Sequence, residues 1–331
     1  IDITMKRIAI VGAGVAGLTL AVETNAVAEV TVFEKSRGYG GRMATRQAEP
    51  FQFDHGTQFF TAKSEQFAHF LEPCIAQGHV VRWDAKFVEI ESGKIISRRN
   101  WAEGPPHYVC APKMNELARQ MAAGLNVILE ARVAKIVESG SRWQLYDQNQ
   151  TMLGEFDWVV LSIPAAQTFD LMPLSFCARG RIGQKQMLGC YSLMLGFTRA
   201  PPLDWQAAFV SEADISWISN DSSKPGRPGP YTLLVHSTNR WAEANMNTAT
   251  ETVIEYLLQE LEQVAGINAS SADHVGLHRW RYANIEKQDG ERFFIDSGQR
   301  LAAVGDWCIH GRIEAAYLAA YELAQTLKAQ L

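Results

Sequence analysis

Three glycines near the start of the chain, Gly12, Gly14 and Gly17, form the pattern G-x-G-x-x-G. They follow a short apolar run, 8–11, and lead into helix-forming residues, 18–23. A glycine loop between a buried strand and a helix can hold a pyrophosphate, because the backbone approaches the phosphates closely and the helix N-terminus offers unpaired N–H groups. The pattern therefore predicts a site for an ADP moiety, with these candidate residues: Gly12, Gly14, Ala16 and Gly17.

A carboxylate at the end of the next predicted strand supports this interpretation. Glu34 follows the strand 29–33 and lies about 20 residues beyond Gly12, where an acid accepts hydrogen bonds from ribose hydroxyls and repels a 2′-phosphate. An ordinary strand–helix turn does not require strand, loop, helix, strand and acid in this order. The motif alone does not separate NAD from FAD.

A second run of glycines and cations, SRGYGGRM at 36–43, follows Glu34 directly. A site for NAD needs no such loop, whereas the second half of FAD also needs close backbone contacts and cations for its pyrophosphate. The segment 40–43 resembles the G-G-R-[MLAV] pattern of amine-oxidase-like flavoproteins, which implies FAD as the cofactor. The alternative is a flexible, solvated basic loop. The candidate FAD-binding residues here are Lys35, Arg37, Gly41, Arg42 and Met43.

The segment FDHGTQFFTAK, 53–63, places a glycine and an amide between aromatic residues. It resembles the D-x-G-x-Q/H-x-F/Y segment that lies against the flavin ring in the same group of flavoproteins. The resemblance implies FAD contacts from Gly56, Thr57 and Gln58, with the Gln58 side chain directed towards flavin N5 or the substrate. A core strand with an incidental glutamine remains the alternative for Gln58.

The C-terminal part of the chain reads as a strand, 301–304, then Gly305 and Asp306, then a helix from about Arg312. This order resembles the second FAD fingerprint of these flavoproteins. It implies that Asp306 holds a ribityl hydroxyl or the flavin-side phosphate region. It also implies that the helix N-terminus at Arg312 and Ile313 points at flavin N1 and C2=O, where its dipole favours negative charge. The resemblance adds Val133 to the FAD-binding residues.

Substrate-side candidates come from the alternation of side chains along two predicted strands. In YTLLVHST, His236 shares a face with Leu234, and in HRWRY, Trp280 shares a face with His278 and Tyr282. His236 could bond a carboxamide, and the aromatic residues could stack on a flat ring. Core packing of the same side chains is the alternative. The candidate catalytic residues are Gln58, His236, Trp280 and Tyr282.

The motifs SRGYGGRM, DHGTQFFTA, LLVHST, HRWRYA and GDWCIHGRIEAAYL together resemble the renalase family over nearly the whole chain. Ala315, where relatives often have glycine, and Arg281 depart from the pattern. The resemblance implies non-covalent FAD and oxidation of 2- and 6-dihydro isomers of NAD(P)H to NAD(P)⁺. Hydride passes to flavin N5, and O₂ reoxidises the flavin to yield H₂O₂. An amine oxidase or desaturase on the same scaffold and a non-catalytic FAD-binding sensor remain alternatives.

Composition bounds the partners and the location. The net charge of −5 argues against nucleic acid or an anionic membrane as the main partner, because both need a basic face. The five widely spaced cysteines contain no C-x-x-C and predict neither a disulfide framework nor a metal site, which favours a reducing cytoplasm. Cys308 and His310, beside Asp306, are predicted to be a packing cysteine and a surface histidine. The oligomeric state is left open.

The predicted fold is α/β, with a Rossmann-like FAD-binding domain and a second, mixed α+β substrate domain of the amine-oxidase and renalase type. The FAD-binding domain is predicted at 1–63, 107–164 and 292–331, and the substrate domain at 64–106 and 165–291. Helices are expected at 112–125 and 248–265, the latter with a capping box from Thr248 to Glu251 and a stop at Gly266. The stretch SSKPGRPGP, 222–230, is predicted to be a surface loop.

Overall fold

The computed structural model describes residues 5–331, so the first four residues of the predicted FAD-binding domain lie outside it. The chain forms two compact units. The first unit contains the N-terminal residues through Arg42, Leu117–Met187 and Asn284–Leu331, and the second contains Met43–Glu116 and Leu188–Ala283. Residues 43–63 and 107–116, predicted for the FAD-binding domain, thus belong to the second unit. Residues 165–187 and 284–291, predicted for the substrate domain, belong to the first.

The secondary structure alternates strands and helices along the chain. The strands are β1 Arg7–Val11, β2 Glu29–Phe33, β3 Arg46–Ala48, β4 Phe51–Phe53, β5 Val80–Arg82, β6 Lys86–Glu91, β7 Lys94–Asn100, β8 Tyr108–Cys110, β9 Asn126–Ile128, β10 Val133–Ser139, β11 Arg142–Asp147, β12 Met152–Phe156, β13 Trp158–Leu161, β14 Leu188–Phe197, β15 Ala207–Ser211, β16 Ile215–Asn220, β17 Tyr231–Ser237, β18 His274–Asn284, β19 Phe294–Asp296 and β20 Leu301–Ala303. The α-helices are α1 Val15–Thr24, α2 Glu65–Ala76, α3 Glu116–Ala122, α4 Ala165–Leu171, α5 Arg179–Gly183, α6 Asn239–Ala244, α7 Thr250–Ala265 and α8 Ile313–Lys328.

The first unit is built on a six-stranded sheet in the order β19-β20-β13-β1-β2-β9. All neighbours pair in parallel except β19, which runs antiparallel to β20 at the edge. The central strands β13 and β1, apart from Arg7 at the start of β1, are apolar and buried, as parallel strands covered on both faces must be. Helices α1 and α8 pack together, and β10, β11 and β12 form a separate antiparallel sheet. The predicted α/β class with a Rossmann-like domain is confirmed.

The turn from β1 into α1 depends on two glycines. Gly12 has φ of +108°, a conformation that side chains disfavour. A Cβ placed on Gly17 would collide with the Gly12 carbonyl oxygen, so the helix approaches the turn more closely than alanine permits. These contacts fix the position of the α1 N-terminus relative to the glycine loop.

The second unit is built on a seven-stranded sheet in the order β18-β14-β17-β16-β15-β6-β7. Helix α7 covers one face, where its buried residues Val253, Leu257 and Leu261 join the core around Leu233 and Val235. The alternate residues of β16 and β17 therefore point to the opposite face. That face carries His236 and, directly across from it on the neighbouring strand, Trp217.

Three expectations about local structure are wrong. The helix expected at 112–125 is confined to Glu116–Ala122, because residues 111–115 form the turn after β8. The capping box fails because Ala249, not Thr248, is the N-cap residue of α7 and makes no side-chain bond. The loop 222–230 is not a surface loop throughout, since the Lys224 and Arg227 side chains are buried in ion pairs.

We expect Gly17→Ala to lower the free energy of unfolding by about 1–3 kcal/mol, because the added methyl group overpacks the contact with the Gly12 carbonyl. Urea unfolding followed by circular dichroism measures this change. Gly38→Ala is the matched control, since a Cβ there meets no atom within 4 Å. Equal unfolding free energies for the two variants would contradict this account of the turn.

Candidate functional site

The N-terminus of α1 faces open space between two glycine loops. Gly14 is the N-cap residue, with φ of −77° and ψ of 178°, and no side chain caps the helix. A Cβ on Gly14 would meet nothing within 4 Å, and one on Gly41 would lie 3.9 Å from the Gly14 Cα atom. The two predicted loops are therefore adjacent and leave the helix N–H groups accessible. This arrangement fits the approach of a pyrophosphate.

Glu34 is buried and already holds the first loop. One carboxylate oxygen accepts a hydrogen bond from the Ala13 N–H at 2.9 Å, and the other accepts from the Ser36 N–H at 2.8 Å. These bonds fix the carboxylate at the end of β2, beside the glycine turn. Each oxygen has a second acceptor position, so the predicted ribose contact stays a prediction that the geometry accommodates.

Arg42 and Asp306 form a bidentate ion pair inside the first unit. The Arg42 Nη1 and Nη2 atoms donate to the two Asp306 oxygens at 2.9 and 2.5 Å, and Asp306 is buried. The two residues are 264 positions apart in the chain, yet both were predicted as FAD ligands. The pair joins the second glycine loop to the loop after β20.

The last helix begins where the sequence predicts. Arg312 is the N-cap residue of α8 and Ile313 its first residue, with no side-chain cap. Cys308 is buried, and burial raises the pKa of its thiol to about 12, so it packs as a neutral thiol. His310 is half-buried, with its Nδ1 atom enclosed and unpartnered, so the surface prediction for it is wrong.

The remaining predicted cofactor residues differ in exposure. Lys35 and Arg37 are exposed, whereas Ala16, Val133 and Gly305 are buried in the first unit. Met43 is fully buried in the second unit, where Gly56 and Thr57 are half-buried. Their contacts to FAD stay predictions.

Four charged side chains that the sequence analysis missed form a buried ionic cluster in the second unit: Asp54, Asp221, Lys224 and Arg227. The Lys224 Nζ atom lies 2.7 Å from an Asp221 oxygen and 3.2 Å from an Asp54 oxygen. The Arg227 Nη2 atom lies 2.8 Å from the same Asp54 oxygen. Two carboxylates and two cations balance each other, as burial requires.

The two carboxyls respond differently to this environment. Burial raises the pKa of Asp54, but Lys224, Arg227 and a hydrogen bond from Thr45 outweigh it, so the net pKa is lowered. Burial also raises the pKa of Asp221, and the attraction of Lys224 only partly offsets it. Asp221 is therefore the carboxyl that protonates first.

Gln58 is held by this cluster. Its Nε2 atom donates to the backbone oxygens of Asp54 and Gly56, at 2.5 and 3.0 Å. Its Oε1 atom accepts from Ser219 at 2.8 Å and from Lys224 at 3.3 Å. The amide therefore orders the loop 54–58, and the predicted contact with flavin or substrate would require one of these bonds to be exchanged.

A second group, the histidine–tryptophan cluster, consists of His55, His236, His278 and Trp280. The His55 carbonyl oxygen accepts hydrogen bonds from Trp280 Nε1 at 2.8 Å and from Ser192 Oγ at 2.7 Å, and His236 Nε2 lies 3.4 Å from it. The His55 ring stacks on Trp280 with centroids 5.1 Å apart, and His278 meets Trp280 edge-on at 4.2 Å. Sequence reasoning selected His236 and Trp280 but missed His55, although it stands inside the DHG motif.

The imidazoles of this cluster are neutral at physiological pH. Burial, followed by the charges of His278 and Arg46, lowers the pKa of His55 to about 3. Burial and Arg46 lower the pKa of His278 to about 4, and burial lowers the pKa of His236 to about 4. Tyr282 lies half-buried on β18, two residues beyond Trp280. The cluster thus presents neutral aromatic faces and edges, and burial together with Arg46 opposes added positive charge on its imidazoles.

A Rossmann-like sheet whose first helix begins beside two glycine loops is typical of a dinucleotide-binding protein. The chain belongs to the flavin containing amine oxidoreductase family, whose model matches residues 82–328, more than half of the chain. A model of an NAD(P)-binding Rossmann-like domain matches residues 10–73. The protein is therefore an FAD-dependent oxidoreductase.

Solved structures share this fold at low sequence identity. A protein from Exiguobacterium sp. 255-15, assigned as a protoporphyrinogen oxidase, matches with 14% identity and a TM-score of 0.80. Cyclohexylamine oxidase from Brevibacterium oxydans IH-35A matches with 14% identity and a TM-score of 0.73, and putrescine oxidase bound to putrescine with 12% and 0.69. Each match covers 98% of this chain and 99% of the other.

Residues 5–331 lack two features that would indicate a membrane or a metal as partner. No helix there is both long and apolar enough to cross a bilayer. No group of histidine, cysteine and acidic side chains in the same range is arranged to hold a metal ion.

We expect Gly14→Ala to weaken FAD binding tenfold or more, equivalent to about 1.4 kcal/mol, because its methyl group would occupy the space open to the pyrophosphate. The backbone angles of Gly14 suit alanine, so unfolding of the FAD-free protein should change by less than about 0.5 kcal/mol. Flavin fluorescence titration and urea unfolding measure the two quantities. Unchanged FAD affinity would show that the open space at Gly14 is not the phosphate site.

We expect Lys224→Met to lower the free energy of unfolding by about 3–5 kcal/mol at pH 7, since it leaves buried carboxylates undercompensated. Without Lys224 the pKa of Asp221 rises further above its unfolded value. Protonation of Asp221 removes the carboxylate charge that Lys224 balanced. The loss in unfolding free energy therefore becomes smaller as the pH falls through that raised pKa. Urea unfolding at pH 7 and pH 5 tests the sign.

The control for this variant is Lys328→Met, which removes a partly exposed pair with Glu23 and should cost no more than about 1 kcal/mol. A Lys224→Met penalty as small as the control's, or one that grows as the pH falls, would rule out the charge balance described for the cluster.

Proposed function

We propose that the protein is a renalase-type oxidase of 2- and 6-dihydro isomers of NAD(P). The substrate ring loses a hydride and becomes an aromatic pyridinium, and that hydride, with its hydrogen and both electrons, combines with O₂ and one further proton to give H₂O₂. Bound FAD supplies the acceptor for that hydride. The five free cysteines favour the reducing cytoplasm as the location.

The observation that carries the proposal is the charge environment of the histidine–tryptophan cluster. Arg46 and burial together keep His55 and His278 neutral, which means that the site opposes a cation. The nearest buried carboxylates, Asp54 and Asp221, are already compensated by Lys224 and Arg227. A dihydropyridine ring is neutral and its dinucleotide tail is anionic, so this field suits it.

The residues of the cluster have separate tasks in this proposal. Trp280 and His278 present ring faces and edges on which a flat pyridine ring can pack. The buried His55 Nδ1 atom has no partner and can bond the ring's carboxamide, as can His236. Because loss of hydride restores aromaticity, no side chain has to remove a proton in this step. The product ring is cationic, and the field of Arg46 weakens its binding and favours its release.

Oxidation of a small amine is the second candidate. The family description and the putrescine and cyclohexylamine oxidases among the structural neighbours favour it. In this protein the specific observation is the set of aromatic faces around His55, since such faces attract ammonium groups. The amine would have to enter against the field of Arg46, or as the neutral base.

Anaerobic mixing separates the two candidates. We expect rapid loss of the flavin absorption at about 450 nm with 2- or 6-dihydroNAD(P), and no loss with putrescine or cyclohexylamine. The rate with dihydroNAD(P) should be flat between about pH 5.5 and 8, because the cluster imidazoles titrate well below that window. An amine substrate would instead give a rate that rises with pH. Bleaching by amines alone would overturn the proposal.

The Arg46→Gln variant tests the charge argument directly. Arg46 is exposed, so its removal should leave the fold intact while the pKa of His278 rises. Arg119→Gln on α3 gives a substitution of the same type away from the cluster. We expect weaker binding of dihydroNAD(P) only for Arg46→Gln. Equal behaviour of the two variants would remove the electrostatic support for a dinucleotide substrate.

A further inference from the structure

The second unit contains a pocket of about 650 Å³ that neither the FAD loops nor the histidine–tryptophan cluster lines. Its walls come from the β6–β7 hairpin, β15, β16 and the loop 100–107. The volume lies within the range of pockets that bind drug-sized molecules. Six of its lining residues carry aromatic rings: Phe59, Phe87, Trp101, His107, Phe209 and Trp217.

The aromatic wall is rigid and already assembled. Trp101 stacks on His107 with centroids 3.7 Å apart and planes 8° apart, and Phe87 stacks on its ring at 5.2 Å. The loop that carries Trp101 is held by Arg82, whose Nη2 atom donates to the carbonyls of residues 101, 102 and 104. Trp101 and Phe87 are buried within this stack, so the rings open to a flat ligand are the exposed Phe209 and the half-buried Trp217.

Two buried polar atoms in this wall lack a partner. The Trp217 indole N–H can only donate, and no acceptor lies within reach of it. The His107 Nδ1 atom is likewise unpartnered, and burial lowers the pKa of His107, so its ring is neutral. Buried unpartnered groups are costly, and a ligand ring with acceptor nitrogens would satisfy the indole.

The mouth of the pocket carries two arginines, Arg98 and Arg99, and two glutamates, Glu89 and Glu103. Arg98 lies 3.0 Å from Asp204, and Arg99 pairs with Glu89 and lies over the Phe87 ring. Both arginines are more than half exposed, so their pairs are weak and their remaining N–H groups can bind phosphate. Aromatic stacking at the base and guanidinium groups at the mouth match a purine carrying phosphates.

The strand register connects the pocket to the histidine–tryptophan cluster. Four residues are direct neighbours on adjacent strands and form one row on one sheet face: His236 on β17, Trp217 on β16, Phe209 on β15 and Glu89 on β6. Adjacent strands are about 4.8 Å apart, so the row spans roughly 14 Å. The riboses and pyrophosphate of a dinucleotide can bridge that distance along the face.

We propose that this pocket binds the adenosine diphosphate half of the dinucleotide substrate, with adenine against Phe209 and Trp217 and phosphates at Arg98 and Arg99. The assignment to a substrate rests on the proposed function, whereas the affinity for adenosine phosphates rests on the pocket alone. In this arrangement the pocket supplies binding energy and the cluster holds the reacting ring.

The direct test is calorimetric titration of the FAD-loaded protein with ADP-ribose, which lacks the nicotinamide. We expect binding that falls at least fivefold in Trp217→Phe, which keeps a ring but loses the N–H group, and in Arg99→Gln. The matched controls are Trp241→Phe, in the same unit but outside the pocket, and Arg181→Gln, another exposed paired arginine. FAD content and thermal unfolding verify that each variant is folded.

Steady-state kinetics separate this inference from the proposed function. We expect dihydroNAD isomers to have a KM at least tenfold below that of the corresponding mononucleotides, a gap that Trp217→Phe closes without changing kcat. No ADP-ribose binding, or equal KM values, while dihydroNAD is still oxidised would overturn the pocket assignment alone. Binding of ADP-ribose that requires Trp217, with no oxidation of dihydroNAD, would support the pocket and reject the proposed function.

Discussion

Charge balance inside the second unit is the constraint on which its chemistry depends. Asp54 and Asp221 cannot be buried without Lys224 and Arg227, and the backbone N–H of Asp54 donates to Asp221. This network fixes Asp54, the residue just before His55. The His55 carbonyl oxygen then accepts hydrogen bonds from Trp280 and Ser192. A peptide carbonyl that accepts from two strands must be held still, and the salt bridges beneath it do that. The ionic cluster therefore orders the aromatic surface although none of its side chains belongs to that surface.

Burial is the largest cause of the lowered pKa of both His55 and His278. Asp54 raises the pKa of His55 although it is paired with Lys224 and Arg227, whereas the charge of Arg46 lowers the pKa of both histidines. The imidazoles stay neutral because burial and this cation act in the same direction.

Structural features that depend on residues close together in the chain could be predicted from the sequence, whereas features that depend on distant residues could not. Gly14, Gly17, Glu34 and the start of α8 were predictable, because each follows from a strand, turn or helix within a few residues. The burial of Lys224 was not predictable, since one of its partners, Asp54, lies 170 positions away and a loop rich in proline and glycine is usually exposed. Thr248 had the right spacing for a capping box, but α7 begins one residue too late for it. The role predicted for Gln58 stays a prediction, and its hydrogen bond from Ser219 could not be read from the chain order.

The ion pair between Arg42 and Asp306 shows how the first unit can respond to its cofactor. A bidentate pair occupies both Asp306 oxygens and much of the Arg42 fork. A pyrophosphate that draws on Arg42 must share the guanidinium with Asp306, which lowers the gain from the new contact. Any loosening of the pair frees Asp306 to accept a hydroxyl bond. The cation and the carboxylate are thus coupled, and a ligand with a phosphate and a hydroxyl at the right separation replaces one ion pair with two charge-assisted bonds. If Arg42 and Asp306 bind FAD as predicted, such a pair would favour a ligand that offers a phosphate and a hydroxyl together.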